Sequence, residues 1–154
     1  GFYASTQGGE AARLSAPVLF ATCIRPYDLL IMNETSQNCP FNILHVCDYS
    51  MPYRDISRFA GYPGQVVNTS LELADGGHLS AEQVSDLFRR PFMGGLNRKG
   101  IITNGTPEQI HQAVLEVIEQ APERFILGAD CTIPSTTPWE NLRIAIQAAH
   151  DYQR

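Results

Sequence analysis

The sequence lacks several features that would assign a protein to a functional class at once. No run of basic residues stands out, and the formal net charge is -5 with a pI of about 5.3. Nucleic acid and anionic membrane surfaces are therefore not expected partners. No stretch approaches the roughly 20 apolar residues of a membrane-spanning helix. Internal repeats and low-complexity segments are also missing, which argues against a solenoid.

Cysteine is scarce, with 4 cysteines among 154 residues, and no two of them form a CxxC pair. A dense disulfide framework is therefore not expected, and a reducing, cytoplasmic setting is the default. Taken singly, each cysteine is best interpreted as a small buried apolar residue.

The remaining composition is that of an ordinary globular protein. Hydrophobic residues make up 44% of the chain and charged residues 18%. A chain of this length is long enough to bury a core of its own and corresponds to one domain.

Short apolar runs alternate with longer amphipathic stretches along the chain. The apolar runs predict strands at 2–5, 41–47, 65–68, 91–96 and 124–129. The stretches between them predict helices at 18–34, divided or kinked by Pro26, at 52–61 after Pro52, from Ser80, at 106–121, and from Thr137-Pro138 to the C-terminus.

Strict alternation of buried strands and helices predicts an α/β fold with parallel strands and right-handed crossovers. Two architectures remain open at this point. One is an open doubly wound sheet, and the other is a part of a (β/α)8 barrel that comprises about five βα units.

In both architectures, functional groups gather where strands end and loops to the helices begin. The residues at those positions are unusually polar and reactive. They are Gln7, His45, Cys47, Asp48, Tyr49, Asn68, Asn97, Arg98, Lys99, Asp130 and Cys131.

Three of these residues suit a metal. His45 and Cys47 are two residues apart on a strand, so their side chains share one face. Cys131 ends a later strand and can meet them across a barrel mouth. One imidazole and two thiolates are ligands that zinc prefers, and three protein ligands leave a position for water or substrate. An HxC pair alone is a weak signal, and a structural role for each residue remains open.

A glycine-rich turn at 94–100 contains Asn97, Arg98 and Lys99. Its backbone N–H groups and two cations suit a carboxylate or phosphate. It is not a nucleotide-binding loop of the GxxxxGK[ST] type. A solvated basic turn is an equally good interpretation.

A set of short segments, in order along nearly the whole chain, resembles the C-terminal half of the uroporphyrinogen decarboxylase superfamily. They are His45-Val46-Cys47-Asp48, Gln65-Val66-Val67-Asn68, Phe92-Met93-Gly94-Gly95-Leu96-Asn97, Gly105-Thr106-Pro107-Glu108, Phe125-Ile126-Leu127-Gly128, and Thr137-Pro138-Trp139-Glu140-Asn141 with His150-Asp151-Tyr152.

The resemblance implies that residues 1–154 form the C-terminal portion of a (β/α)8 barrel whose N-terminal strands are missing from the chain. The superfamily contains two chemistries. Uroporphyrinogen decarboxylases act on a tetrapyrrole in haem biosynthesis without metal or cofactor. Corrinoid-dependent methyltransferases hold zinc with an HxC strand motif and a distant cysteine, and the zinc activates a thiol that accepts a methyl group from methylcobalamin.

The resemblance favours the second chemistry, because His45 and Cys47 match HxC and Cys131 matches the distant cysteine. These three residues are the expected zinc ligands and catalytic residues. The expected substrate-binding residues are Gln7, Asn68, Asn97, Arg98 and Lys99.

Two departures from the family patterns bear on the choice. The region Val67-Asn68-Thr69 lacks the acid that supplies a fourth ligand in some methyltransferases. The decarboxylase-type Leu-Gly-His-Gly run is replaced by Leu127-Gly128-Ala129-Asp130.

The expected partners are a small thiol or tetrapyrrole substrate, a corrinoid protein, and further copies of the chain in a homo-oligomer. Two alternatives remain. One is a metal-free uroporphyrinogen III decarboxylase. The other is a catalytically silent fragment that serves as a binding or assembly module, because a partial barrel exposes sheet edges and an apolar face.

Overall fold

The computed structural model of the chain describes residues 1–6, 17–48 and 51–152. Within them, five parallel strands form one sheet in the order β1-β2-β3-β4-β5. The strands are β1 (Phe2–Thr6), β2 (Asn42–Val46), β3 (Val66–Thr69), β4 (Phe92–Leu96) and β5 (Phe125–Ala129).

The strand order decides between the two architectures that the sequence left open. A doubly wound sheet reverses its order at a switch point, whereas each strand here pairs with the next one along the chain. This is the arrangement of a barrel wall. The predicted α/β class, with about five βα units of the (β/α)8 type, is confirmed.

Helices follow β1, β3, β4 and β5. They are α1 (Pro17–Leu19), α2 (Arg25–Asn38), α3 (Ala81–Phe88), α4 (Ile101–Asn104), α5 (Pro107–Glu119) and α6 (Trp139–Asp151). Among the residues that the structure describes, none of these helices has the length and apolar character needed to cross a bilayer.

Period-two alternation divides the strand side chains between two faces. The outer face packs on the helices in a core that contains Leu44, Val46, Val67, Phe92, Met32, Val84 and Phe88. A second cluster joins α4, α5 and α6 through Ile102, Ile110, Val114, Ala145 and Ala148.

The inner face of the sheet carries the polar row on which the site is built. His45 pairs in register with Ser5 on one side and Asn68 on the other, and Asn68 pairs with Met93. Residues in register on parallel strands share a face, so one row runs from β1 to β4 through the imidazole and the amide.

The helix predicted at 18–34 extends further and buries other residues than expected. A π-helical turn, Phe20–Ile24, joins α1 to α2, and the Arg25 N–H bonds to the Phe20 carbonyl. The widened turn accommodates Pro26, which has no N–H to donate. Phe20 and Met32 are buried, whereas Tyr27, Leu30 and Ile31, predicted on the apolar face, are exposed.

The prediction of a helix after Pro52 is wrong. The described chain has only a short 3-10 turn there, Ser57–Phe59. The Asp55 carboxylate accepts hydrogen bonds from the N–H and the hydroxyl of Ser57, and such local side-chain bonds compete with a helix. Phe59 then packs edge-on against Tyr53 and Tyr62.

Helix starts were predicted with mixed success. Ser80 with Gln83, and Thr106 with Gln109, form complete capping boxes at α3 and α5, so these starts are confirmed. Thr137 does not cap α6, because its hydroxyl bonds to that of Thr103 at 2.7 Å. The short helix α4 was not predicted.

Candidate metal centre

Three side chains converge at the carboxyl ends of β2 and β5. His45 lies near the end of β2, Cys47 follows that strand, and Cys131 follows β5. One ligand atom from each lies within 4.8 Å of the other two. The Sγ atoms of Cys47 and Cys131 are 3.8 Å apart. The predicted convergence of these residues is therefore present.

The spacing of the two sulfurs fits zinc. Two thiolates bound tetrahedrally at a Zn–S distance of about 2.3 Å have sulfurs about 3.8 Å apart. A disulfide needs only about 2.05 Å, so sulfurs 3.8 Å apart are not bonded to each other. One nitrogen and two sulfurs are also a donor set that zinc accepts.

The imidazole of His45 is suited to ligation. Its side chain is buried, and its Nδ1 atom has no hydrogen-bond partner in the described part of the chain. Burial lowers the pKa of His45, because desolvation disfavours the imidazolium. The ring is therefore neutral at physiological pH, as a metal ligand must be. A bound metal would satisfy such a ring nitrogen.

The backbone of Cys47 is held from two sides. Its N–H donates to Oγ1 of Thr6 at 3.1 Å, and its carbonyl accepts from the Tyr53 hydroxyl at 2.8 Å. Both partners are buried. The thiol therefore extends from an ordered segment, although β2 has already ended at Val46.

Asn68 is fully buried beside the histidine. Its Nδ2 donates to the carbonyls of Met93 and Ala129, each at 2.9 Å, and its Oδ1 accepts from the Tyr3 hydroxyl at 2.6 Å. The Tyr3 ring stacks on His45 with 5.2 Å between ring centroids. Partial burial raises the pKa of Tyr3 far above its ordinary value, and the nearby Cys131 and Cys47 raise it further. The hydroxyl therefore stays protonated and donates.

Arg98 lies in a different environment from the exposed anion-binding position predicted for it. The residue is buried, and its Nη1 atom contacts Asp48 at 3.1 Å and Asp130 at 3.2 Å. Burial opposes ionisation of the guanidinium, but Asp130 and Asp48 outweigh it and raise the pKa of Arg98. Asp48 and Asp130 are also buried.

Three of the N–H groups that the turn at 94–100 was expected to offer to an anion bond within the chain instead. The N–H of Arg98 donates to Asp130, that of Lys99 to the Asn97 side chain, and that of Gly100 to the Asn97 carbonyl.

The turn needs glycine at position 95 for its backbone. Gly95 has a φ of 98°, and a Cβ there would collide with Val117. The side chains of Asn97 and Lys99 are exposed, and substrate contact through them stays a prediction.

Some neighbours of the centre were missed from the sequence. Tyr3 was seen only as part of a strand, and Asp48 and Asp130 were noted at strand ends without a role. Nothing in the local sequence marks these contacts, because the partners are 50 residues apart for Asp48 and Arg98 and 65 for Tyr3 and Asn68. The predicted substrate residue Gln7 lies outside the described residues.

Comparisons with known proteins give a family and a fold. A family model described as uroporphyrinogen decarboxylase (URO-D) matches residues 10–152. A search of curated proteins finds no match.

Among solved structures, the chain is similar to a methyltransferase from Methanosarcina mazei with a TM-score of 0.71 and 18% identity. The match covers 97% of this chain and 41% of that chain. At this identity the likeness shows the fold alone, and the chain spans less than half the length of that structure.

Proposed function

This chain belongs to the uroporphyrinogen decarboxylase family, and from that premise we propose that it is a zinc-dependent methyltransferase that activates a thiol for methyl transfer from a corrinoid. The observation that carries the proposal is the grouping of His45, Cys47 and Cys131, with sulfurs 3.8 Å apart. The decarboxylase chemistry described above needs no metal, so it offers no reason for this grouping.

His45, Cys47 and Cys131 are the proposed ligands. Zinc held by three protein ligands would lower the pKa of a substrate thiol that takes the fourth position, which makes the sulfur a better nucleophile. Asn68 holds Tyr3 over the imidazole through its hydrogen bond, and this contact orients the ring. Thr6 and Tyr53 hold the backbone of Cys47.

The proposed substrate is a small thiol, and the proposed methyl donor is methylcobalamin or a corrinoid protein. The thiol would approach from the inner face of the sheet, where Tyr3 is half exposed. Asn97, Lys99 and Gln7 are the proposed contacts for its remaining groups. Cys23 is an exposed free thiol, which supports a reducing cytoplasmic setting.

We further propose that residues 1–154 form the C-terminal portion of a longer barrel. The match to 41% of the methyltransferase chain supports this proposal. The catalytic site then needs the remaining strands of the barrel, so activity is expected from the full-length protein.

Metal analysis of the purified, untagged protein tests the assignment. We expect stoichiometric zinc in the wild type and its loss in Cys47→Ser and in Cys131→Ser. Cys23→Ser removes an exposed cysteine outside the site and is the matched control, which should keep its zinc. Methyl transfer from methylcobalamin to a simple thiol, followed by the corrinoid absorbance, should fall with the zinc content.

Absence of stoichiometric zinc, together with thiol reactivity that a chelator does not change, would contradict the proposal. Release of coproporphyrinogen from uroporphyrinogen by the full-length protein, unaffected by Cys131→Ser, would favour the metal-free decarboxylase instead. The family description is the observation that keeps this second function open.

A further inference from the structure

The two cysteines of the candidate centre lie on strands that are not neighbours. Cys47 and Cys131 are 84 residues apart in sequence, and β3 and β4 separate their strands in the sheet. Adjacent strands are about 4.8 Å apart, so the three spacings from β2 to β5 amount to about 14 Å along the sheet. The sulfurs are nevertheless 3.8 Å apart. The curvature of the sheet and the two loops must therefore bring them together.

Arg98, which follows β4, links these two loops. Its Nη1 atom donates to Asp48 at 3.1 Å and to Asp130 at 3.2 Å. Asp48 is the residue after Cys47, and Asp130 is the residue before Cys131. The Arg98 N–H adds a second bond to Asp130 at 2.8 Å. Each ligand cysteine is thus one residue from a carboxylate that the same arginine holds.

Burial makes these contacts directional and strong. The side chains of Arg98 and Asp48 are 7% and 6% exposed, so water competes little for their charges. Charge-assisted bonds of this kind are shorter and stronger than neutral ones. Loss of one partner would leave a buried, unpaired charge, and the loops that carry the carboxylates would move to rehydrate them.

We infer that Arg98 is a positioning residue that sets the separation of the Cys47 and Cys131 thiols by bridging Asp48 and Asp130. The inference rests on the proposed function, since it concerns the same metal centre. The arginine does not touch the metal or the substrate in this role. It acts through the two carboxylates, and it holds the sulfurs at a spacing suited to zinc before any metal binds.

The first test is zinc affinity, measured by competition with a chromophoric chelator on the full-length protein. We expect Arg98→Gln to weaken zinc binding by about 10–100-fold, as is typical when a group behind a metal ligand is lost. Arg98→Lys keeps the charge but replaces the planar guanidinium, whose Nη1 atom reaches both carboxylates, by a strongly hydrated ammonium. Its zinc affinity should fall between those of the wild type and Arg98→Gln. Arg143→Gln removes an arginine from an exposed ion pair on α6 and should match the wild type.

The absorption spectrum of the cobalt-substituted protein gives a readout besides affinity. Its thiolate charge-transfer bands should lose intensity in Arg98→Gln, because one sulfur moves out of reach of the metal. The spectrum of Arg143→Gln should remain that of the wild type.

A second test needs no metal and separates this inference from the proposed function. In a Cys23→Ser/Cys39→Ser background, diamide takes two electrons and two protons from the remaining thiols and leaves a Cys47–Cys131 disulfide. Mass spectrometry after alkylation follows the rate. We expect several-fold slower cross-linking in Arg98→Lys, which keeps a positive charge beside the thiols, and no change in Arg143→Gln.

The outcomes are distinct. A wild type that holds no zinc but cross-links rapidly, with slow cross-linking in Arg98→Lys, would sink the zinc proposal and leave the positioning role intact. Folded Arg98→Lys and Arg98→Gln variants with wild-type zinc affinity, cobalt spectrum and cross-linking rate would overturn the positioning role. Circular dichroism establishes that the variants are folded.

Discussion

At the scale of single residues, Asn68 connects the centre to the sheet. Its side chain joins three strands besides its own, through the Tyr3 hydroxyl on β1 and the carbonyls of Met93 on β4 and Ala129 on β5. These contacts all lie within the sheet, and the residue is fully buried. Its sequence position predicted a pocket residue. Its contacts indicate that it also fixes the inner face on which His45 lies.

Replacement of Asn68 by Ala should therefore destabilise the fold. Two carbonyls and one hydroxyl in partly buried contacts lose their partner, and an unsatisfied buried group costs about 1–3 kcal/mol. We expect a loss of about 2–4 kcal/mol in the free energy of unfolding, measured by urea denaturation. Asn38→Ala, at the exposed end of α2, is the control and should change the free energy of unfolding by less than about 1 kcal/mol. A similarly small change in Asn68→Ala would contradict this role.

At the scale of elements, local sequence signals identified the starts of α3 and α5, because the capping bonds of each helix join residues of its own first turn. Ser80 and Gln83 lie three residues apart, as do Thr106 and Gln109, and both pairs form the reciprocal bonds of a capping box. Each bond lies within one turn, so no distant residue is needed. The last helix begins at Trp139, where it was predicted, but Thr137 does not cap it, because its hydroxyl bonds to that of Thr103 from another element.

Removal of the capping side chain should destabilise the protein to a similar extent at α3 and at α5. Ser80→Ala and Thr106→Ala should each lower the free energy of unfolding by about 1 kcal/mol, because an N-terminal N–H group of the helix loses its acceptor. Thermal and urea unfolding both report the change. Ser135→Ala, in an exposed turn before α6, should leave stability as it is. Equal values for Ser80→Ala and Ser135→Ala would show that the box contributes nothing.

At the scale of the whole molecule, the described chain has the layers of a barrel wall and an open side. Among the described residues, β1 pairs with β2 alone, and Phe2, Tyr3, Tyr27, Leu30 and Ile31 are exposed along or near that edge. Exposed strand edges with apolar surroundings tend to pair with another chain. The partial barrel and the homo-oligomer stay predictions, and this surface is where we expect the association to occur.

The isolated 154-residue chain should therefore associate with itself. We expect light scattering to give a mass that rises with concentration, and Phe2→Lys to reduce this rise by placing a charge at the edge. Gln112→Lys adds the same charge on the exposed face of α5 and should not reduce it. A monodisperse monomer at all concentrations would count against an open edge and favour a closed fold.

The sequence by itself determined the features that depend on neighbouring residues. Alternation of apolar runs predicted five strands and the α/β class, and period-two spacing placed His45 and Cys47 on one face. Capping residues located the starts of α3 and α5. These features are local, because backbone geometry and nearby side chains are enough to produce them.

Tertiary structure alone decided the rest. The order of the strands, the contact of Tyr3 with Asn68 and the bridge from Arg98 to Asp48 and Asp130 all join residues that are far apart in sequence. An exposed loop arginine and a buried, doubly paired one look identical in a sequence. The curvature of the sheet, together with the loops that follow its strands, brings these groups within bonding distance.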